Sequence, residues 1–256
     1  MDKAIVKNFL TTMYLVICMF EGGSLLGGTA QEEYIWEITG TQCNLEFQYS
    51  RREFVEKRGV QISDAYKHYR VSREQIMCCI GPEINKIWRI SGLLGMSDLE
   101  LHCSEGETRK FDFAFLLGVD TELFIPISDE QFMVSFGGRF LTFSANNGRV
   151  TDVIQHMDFV VWNTLDLQWR ELTFTGKALL NISDITRIFS GLEYSIVELE
   201  EEGTVFGVER SGKLQGSDKI GVFFGLERKL NEVWSLCGSV NIIDRTAFVI
   251  NFTGRF

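Results

Sequence analysis

The final stretch of the chain, Thr246 to Phe256, reads TAFVINFTGRF and alternates in polarity. The large apolar side chains of this stretch fall on one face of an extended strand, and they are Phe248, Ile250, Phe252 and Phe256. A period of two indicates a β-strand with one apolar and one polar face. Chain ends usually fray. A strand that continues to the last residue therefore predicts a chain end that is held in a sheet.

A last strand that ends in a carboxy-terminal Phe resembles the closing strand of bacterial outer-membrane β-barrels, in particular the small opacity-protein and OmpA-like type. In that family the terminal aromatic strand is the signal that the barrel assembly machinery recognises. The resemblance implies that Phe248, Ile250, Phe252 and Phe256 form this signal. It also implies the outer membrane as the location, with its lipid bilayer and the assembly machinery as partners. Gly254 departs from the pattern, because the family usually has Tyr or another large residue there.

The amino terminus predicts a secretory signal peptide over residues 1–30, followed by the barrel domain over residues 31–256. Lys3 and Lys7 give a positive start, Phe9 to Phe20 forms an apolar core, and residues 28–30 (GTA) are small. A single membrane anchor is disfavoured, because the apolar run is shorter than the roughly 20 residues of a spanning helix. A lipoprotein site at Cys18 is disfavoured because a large Ile precedes that cysteine.

Composition limits the alternatives further. The net charge of −10 disfavours a general affinity for nucleic acid. The mean hydropathy is near zero, which does not argue against a membrane barrel, because alternating strands hide their hydrophobicity. The chain contains 21 Phe and 24 Gly but only 2 Pro, and Pro is disfavoured inside hydrogen-bonded strands.

Alternating segments repeat along the chain at hairpin spacing and predict an all-β, antiparallel, up-and-down transmembrane barrel of about ten strands, within a range of 8–12. The predicted strands cover residues 44–55, 73–84, 86–98, 110–124, 131–144, 158–170, 172–182, 219–229, 233–243 and 246–256. Residues 189–200 (FSGLEYSIVELE) also alternate. We interpret them as the start of a long loop, although they could add strands.

The predicted connections alternate in length, as expected for outer-membrane barrels with short periplasmic turns and longer outer loops. The short links are PEINK, IPISDE, RE and RKLNE, and four of the five other links are long. Three tryptophans then lie near the periplasmic ends of strands and predict an aromatic girdle, namely Trp88, Trp169 and Trp234.

Alternation alone does not say which face points inward, because a soluble barrel or sandwich has the reverse arrangement. The apolar faces here carry large residues, whereas the polar faces carry Gly, Ser and spaced charges that suit a narrow lumen. Together with both chain ends, this predicts a membrane barrel over a secreted soluble β-barrel or sandwich. The predicted lumen charge network consists of Arg89, Asp112, Asp120, Glu122, Arg139, Asp166, Arg170 and Glu227.

The sequence offers little evidence of a catalytic, metal or cofactor site. The six cysteines have no regular spacing, and we predict neither a metal site nor a cofactor. The one catalytic candidate is His102 with Ser104 and the acidic Glu105 or Glu107, in a predicted outer loop. A separation of two residues between a His and a Ser is common by chance. We therefore predict no catalysis, with a rim-located lipid-modifying enzyme as the alternative.

An acidic run in a predicted outer loop has two interpretations, a solvated loop or a divalent-cation site formed by Glu198, Glu200, Glu201 and Glu202. The overall prediction is a monomeric outer-membrane barrel with a structural, adhesive or narrow-pore role. A ten-stranded barrel has an interior mostly filled by side chains. An open small-solute channel is accordingly an alternative, as is a soluble β-binder.

Overall fold

A computed structural model describes residues 38–56, 67–103, 108–128, 131–146, 149–154, 157–162, 165–205, 208–216, 219–243 and 245–256. The predicted signal peptide and His–Ser candidate partner Ser104 lie outside these residues. Every regular element of the described part is a β-strand. Within that part, no helix is long and apolar enough to cross a membrane.

The strands, in chain order, are β1 (Ile38–Glu56), β2 (Lys67–Ile84), β3 (Trp88–Cys103), β4 (Thr108–Ser128), β5 (Phe132–Ala145), β6 (Arg149–Ile154), β7 (Met157–Trp162), β8 (Leu165–Ser183), β9 (Thr186–Val205), β10 (Val208–Gly216), β11 (Ile220–Lys229), β12 (Trp234–Ile242) and β13 (Arg245–Arg255).

Ten of these strands form a closed antiparallel ring. Each strand of the ring pairs with the next one along it, in the order β1, β2, β3, β4, β5, β8, β9, β11, β12 and β13, and β13 pairs back with β1. The register of the closing pair runs from Gln42↔Arg255 to Arg52↔Arg245. The predicted all-β, ten-stranded antiparallel barrel is thereby confirmed.

One end of the barrel, which we call the turn end, holds the short connections and both termini of the barrel. Thr41 and Phe256 exchange two backbone hydrogen bonds of 2.9 Å there. Asn85 and Lys86 both have positive φ, as a two-residue type I′ hairpin requires. We call the opposite end, toward which the remaining strands extend, the loop end.

The loop end is built differently from the rest of the wall. β11, β12 and β13 stop partway up, and β10 alone continues the wall between β9 and β1 above them. The changeover lies between Tyr194↔Ile220 and Glu198↔Gln215 on β9. The wall therefore loses two strands toward the loop end. The β6–β7 hairpin extends the same end through its pairing with β4.

The count of ten was right, but the boundaries predicted between residues 158 and 218 were wrong, and the predicted strand 158–170 covers most of β7 and the start of β8. The predicted RE turn is the middle of the continuous strand β8, where Glu171 is buried. The stretch interpreted as the start of a loop is most of β9. The adjacent charges of Arg170 and Glu171 resembled a solvent-exposed turn. The Glu171 carboxylate instead points into the lumen, where it accepts hydrogen bonds from arginines.

The outer surface carries a belt of large apolar side chains, and the interior at the same height is polar. On β9, exposed Ile188, Leu192 and Tyr194 alternate with inward Arg187 and Glu193. The apolar stretch that begins in the β8–β9 turn runs from Ile185 to Ile196. At ~3.3 Å per residue and a strand tilt of ~40°, it spans about 28 Å of barrel height. That height matches the apolar band of about 25 Å in outer-membrane barrels.

Above the belt the polarity of the two faces reverses. On β9, Leu199 is buried inside while Glu198 and Glu202 face outward. On β8, Leu167 is likewise buried and Asp166 is exposed. Each long strand therefore has a membrane segment with apolar residues outside and a loop-end segment with apolar residues inside. We call the loop-end segment the collar.

Gly254 has a structural explanation in the closing strand. Its cross-strand partner is Trp234, and a Cβ on Gly254 would lie 2.6 Å from the Trp234 ring. The indole stacks on Phe252 at 4.8 Å between centroids and meets Phe256 edge-on at 5.6 Å. Trp234 thus covers the outer surface at Gly254, where the resemblance predicts a large residue, and a cross-strand aromatic that covers a strand glycine in this way is a known rescue of such glycines.

We expect Gly254→Tyr to destabilise the barrel by about 1–3 kcal/mol, because two aromatic rings would compete for one site. The double variant Gly254→Tyr with Trp234→Ala moves the aromatic to the other strand and should recover most of the loss. The measurement is the urea midpoint of the folded gel band. Equal midpoints for the single and double variants would contradict the pairing.

Candidate functional site

Ion pairs that join strands cross the lumen of the membrane segment. Near the turn end, Glu122 accepts a 2.7 Å hydrogen bond from Lys177 and a 2.8 Å bond from Ser135. Arg89 lies 3.4 Å from the same carboxylate. Because β3, β4, β5 and β8 all contribute, this cluster ties neighbouring strands together from inside.

Two further clusters lie in the same half of the lumen. Arg139 donates bonds of 2.9 and 3.2 Å to Glu46 and one of 3.3 Å to Asp120, linking β5 to β1 across the interior. Glu227 lies 3.4 Å from Arg187 and 3.5 Å from Arg255. Charge-assisted bonds of this type are among the stronger hydrogen bonds in proteins.

A fourth group of charges, which we call the arginine layer, crosses the lumen at the top of the membrane segment. Glu171 accepts hydrogen bonds from Arg73 at 2.9 Å and Arg245 at 3.0 Å, and Arg52 is 3.8 Å away. Arg245 also donates to Glu193 at 3.1 Å. All five side chains are buried or nearly so. Buried charges are stable only when paired and hydrogen-bonded, which this layer achieves for its two glutamates.

The arginine layer supports an apolar plug. Trp169 is only 3% exposed; it lies 5.7 Å from Phe143 in a stack and 5.6 Å from Phe54. The Arg73 guanidinium lies 4.6 Å from the Trp169 ring centroid, a cation–π contact that joins plug and layer. Other inward side chains of the plug include Val71, Leu99, Leu101, Phe111, Leu116, Leu141, Leu167, Val197, Leu199 and Leu214.

One ion pair is embedded in this apolar interior. Arg109 is fully buried and pairs with Glu201, and it donates a 2.5 Å hydrogen bond to the Tyr69 hydroxyl. The guanidinium also lies 4.7 Å from the Tyr69 ring centroid. β2, β4 and β9 are thereby joined across the collar.

The plug leaves a cavity of about 230 Å³ in the turn-end half of the lumen. Its lining includes the three charged clusters and the lower face of the arginine layer. The remaining wall combines amide side chains of β1, β12 and β13, among them Gln48, Asn241 and Asn251, with apolar side chains such as Phe189 and Phe223. The lumen thus has a lower half crossed by charged clusters and an upper half filled by the plug.

The structure places the predicted lumen charges in two groups. Five of them lie in the ion-pair clusters of the lumen, namely Arg89, Asp120, Glu122, Arg139 and Glu227. The side chains of Asp112, Asp166 and Arg170 are exposed instead. Asp112 lies at an irregularity where the β3–β4 register shifts between Ser97 and Leu99. Asp166 and Arg170 lie in the collar, where the faces are reversed.

Sequence reasoning missed several charged residues of the lumen, chiefly Glu46, Arg52, Arg73, Glu171, Glu193 and Arg245. Glu46 lay in a correctly predicted strand, and its alternation with Leu45 and Phe47 was a usable signal. Glu171 and Glu193 were assigned to a turn and a loop. Their strand partners could not be recognised without the correct boundaries.

The three tryptophans of the predicted girdle lie in two different places. Trp88 and Trp234 begin β3 and β12 at the turn end, on the outward face, and Trp88 donates a 2.8 Å hydrogen bond to Thr121. Trp169 corrects the prediction, because it lies inside the plug. Its apolar neighbour Leu167 resembled part of a lipid face, but it is buried inside the collar.

The terminal strand presents its large residues to the outside, as the alternation predicts. Phe248 and Ile250 are 53% and 56% exposed, and Phe252 and Phe256 are also exposed. The role of these four residues as an assembly signal remains a prediction.

The acidic run lies in β9, and its residues alternate. Glu198, Glu200 and Glu202 face outward, whereas Glu201 turns inward to Arg109. Lys213 of β10 bonds to Glu200, and Arg170 pairs in register with Glu198. Among the described residues, no group of three or more His, Cys, Asp or Glu side chains is arranged to hold a metal ion. The arrangement favours a solvated, ion-paired outer face over a cation site.

His102 lies on the outward face of the collar. Its Nδ1 is 3.3 Å from the Thr108 hydroxyl, and its Nε2 is 3.6 Å from Glu100. Lys110 shares the same Glu100 carboxylate at 3.3 Å. The other members of the proposed constellation, Ser104, Glu105 and Glu107, lie outside the described residues.

Comparison with known proteins identifies the fold. No protein-family model matches the chain, and no curated protein matches it in sequence. The β domain of the Bordetella autotransporter Brka is similar in structure, with a TM-score of 0.51 at 12% identity over 85% of this chain and 99% of that one. The chain therefore has the fold of bacterial outer-membrane β-barrels, and the predicted resemblance is confirmed.

Two further barrels align over most of both chains. They are the translocator domain of the Neisseria meningitidis autotransporter NalP (TM-score 0.48, 9% identity, 99% of this chain and 98% of that one) and the Escherichia coli outer-membrane protease OmpT (0.49, 6%, 88% and 98%). At such low sequence identities, the likeness to these proteins is one of fold alone. A barrel of this fold with a continuous exposed apolar belt belongs in the outer membrane, as predicted.

The arginine layer generates a stability prediction. We expect Glu171→Gln to lower the free energy of unfolding by about 3 kcal/mol, because three buried guanidiniums would lose a shared countercharge. The measurement is urea unfolding in detergent, followed by far-UV circular dichroism. Glu198→Gln, an outward change on the neighbouring strand, should shift the unfolding free energy by less than about 0.5 kcal/mol. Similar shifts for both variants would contradict the assigned role.

Proposed function

We propose that the protein is a monomeric, non-catalytic outer-membrane barrel with a structural or adhesive role, whose lumen does not conduct. The observation that carries this proposal is the plug. Trp169 packs against both Phe143 and Phe54 in the interior, directly above the arginine layer. A conducting pore needs a continuous wet path, whereas these rings and the aliphatic side chains around them fill the lumen.

The collar supports the adhesive side of the proposal. It extends the wall beyond the apolar belt, with apolar residues inside and polar residues such as Arg51, Glu53 and Gln168 outside. A wall packed like a soluble protein gives the outer loops and the β6–β7 hairpin a rigid base. Binding residues are commonly carried on loops positioned by a rigid scaffold.

The absence of catalysis is part of the proposal. His102 faces outward, and its ring nitrogens contact Thr108 and Glu100. A nucleophile–base pair requires contact between the two groups and a third orienting residue. The neighbours of His102 in the described part of the chain are those of an ion-paired surface. Glu100, the carboxylate that would orient His102 as a base, is ion-paired with Lys110.

The proposal predicts that the wild-type protein gives no steady conductance in planar lipid bilayers. The double variant Trp169→Ala, Phe54→Ala should conduct, because it removes two of the three packed rings above the polar cavity. Phe174→Ala, which deletes an aromatic ring from the lipid-facing surface, is the matched control and should stay closed. A steady unitary conductance of the wild type would reject the non-conducting role in favour of a channel.

We further propose that the barrel assembly machinery recognises the terminal strand. Deleting Phe256 should lower the yield of heat-modifiable barrel in cells, because the deletion removes the terminal aromatic ring and its edge contact with Trp234. The readout is the ratio of folded to unfolded bands in outer-membrane fractions. Normal yields without Phe256 would refute this assignment, and refolding in detergent would separate loss of recognition from loss of stability.

A further inference from the structure

The side of the lumen formed by β9, β11, β12, β13 and β1 carries two neighbouring rows of uncharged inward residues. The lower row consists of Phe189, Gly225, Ser239, Val249 and Gln48. The upper row consists of Gly191, Phe223, Asn241, Ala247 and Ser50. The charged side chains one level further down pair with one another, as Glu227 does with Arg187. The two rows therefore favour an uncharged ligand over an ion.

Two phenylalanine rings lie against this wall, where glycines leave room for them. A Cβ on Gly225 would lie 2.1 Å from Cζ of Phe189, and a Cβ on Gly191 would lie 2.6 Å from Cζ of Phe223. The centroids of the two rings are 6.3 Å apart, and both rings line the cavity. Because the face of an aromatic ring carries partial negative charge, it attracts the C–H groups of oxygen-bearing carbons.

Three amide side chains beside these rings have polar atoms without hydrogen-bond partners in the described part of the chain. The atoms are Oδ1 of Asn241, Oδ1 of Asn251 and Nε2 of Gln48. All three side chains line the cavity, and Asn241 and Gln48 are each only 5% exposed. Buried polar groups normally have hydrogen-bond partners. The two oxygens and one nitrogen therefore indicate a ligand that offers both donors and acceptors.

Hydroxyl groups meet both requirements, since each one can donate to an asparagine oxygen or accept from an amide nitrogen. A carboxylate or a metal cation meets only one of them. Water meets both, but it gains nothing from the ring faces. The cavity volume of about 230 Å³ is also several times the roughly 30 Å³ that one water molecule occupies in the liquid.

We propose that the cavity binds a small uncharged polyol, of the size of a sugar alcohol or a monosaccharide. The C–H groups of the polyol lie against Phe189 and Phe223. Its hydroxyl groups donate hydrogen bonds to Asn241 and Asn251 and accept one from Gln48.

The ligand enters from the turn end. The lining of the cavity continues down to Gln42 and Arg255, which are register partners next to the Thr41–Phe256 pair at that end. Polyol binding goes beyond the structural or adhesive role and does not depend on closure of the lumen. Conductance tests the plug, whereas equilibrium binding tests the cavity, and either result can fail without the other.

The experiment uses the folded full-length barrel in an uncharged detergent without sugar headgroups. Titration calorimetry measures the binding of erythritol and of glucose, with 1,2-dimethoxyethane as a control that has ether oxygens but no hydrogen-bond donor. We expect saturable binding of at least one of the two polyols and none of the ether. Saturable binding of neither polyol would overturn the proposal and assign water to the cavity. Equally tight binding of the ether would overturn it too, because the amide oxygens would then play no part.

Substitutions on the wall locate the site. Asn241→Leu should weaken polyol binding about fivefold or more, because it removes a hydrogen-bond acceptor. The matched control is Asn44→Leu, since Asn44 also lines the cavity but its Oδ1 already accepts a 3.2 Å hydrogen bond from Thr253. Phe189→Leu should weaken binding about threefold, because it removes a ring face but keeps an apolar side chain. Its matched control is Phe224→Leu on the lipid-facing surface, where the ring is 53% exposed.

Heat-modifiable gel migration verifies that each variant is folded. Should Asn241→Leu fail to fold, Phe189→Leu still tests the proposal, because the ring contributes no hydrogen bond to the barrel. Losses of affinity in Asn44→Leu and Phe224→Leu that equal those of their partner variants would reject the assigned site.

Discussion

The number of strands in the wall decides what the interior of this barrel must contain. Barrel diameter grows with strand number, and this wall loses two strands where β10 replaces β11, β12 and β13. In the wider part, long charged side chains such as Arg139 and Glu46 meet across the lumen and leave a cavity between them. In the narrower part, Leu, Phe and Trp side chains form a packed apolar core. The change in interior chemistry therefore follows from the change in wall geometry.

The outer surface imposes the second constraint, and it changes at nearly the same height. Beside the lipid the wall needs apolar residues outside, so polar residues can lie only inside. Above the lipid the wall faces water, and a soluble arrangement with an apolar core becomes favourable. The arginine layer lies at this boundary. Arg73 belongs to both environments, because one face of its guanidinium covers Trp169 while its edge binds Glu171.

This reversal explains which predictions succeeded. Strands whose membrane segment dominates, such as β12 and β13, were predicted with the correct faces from alternation alone. β8 and β9 carry both segments, and a single strand then contains two opposite patterns. Leu167 and Trp169 look like lipid-facing residues, and Glu171 looks like the end of a strand. Alternation gives the period but not the height in the membrane, so the point of reversal could not be derived from one sequence.

The tertiary pairings were the other part that sequence reasoning could not reach. Glu171 and Arg245 are far apart in the chain, and only barrel closure brings β8 opposite β13. The same applies to Gly254, which looked like a defect in the terminal strand until Trp234 was found lying over it. In both cases a residue that is unfavourable in its own strand is compensated from another strand. A closed barrel makes this possible, because every strand has two fixed neighbours and a shared interior. Local irregularities in such a sequence are therefore the positions at which cross-strand partners should be sought first.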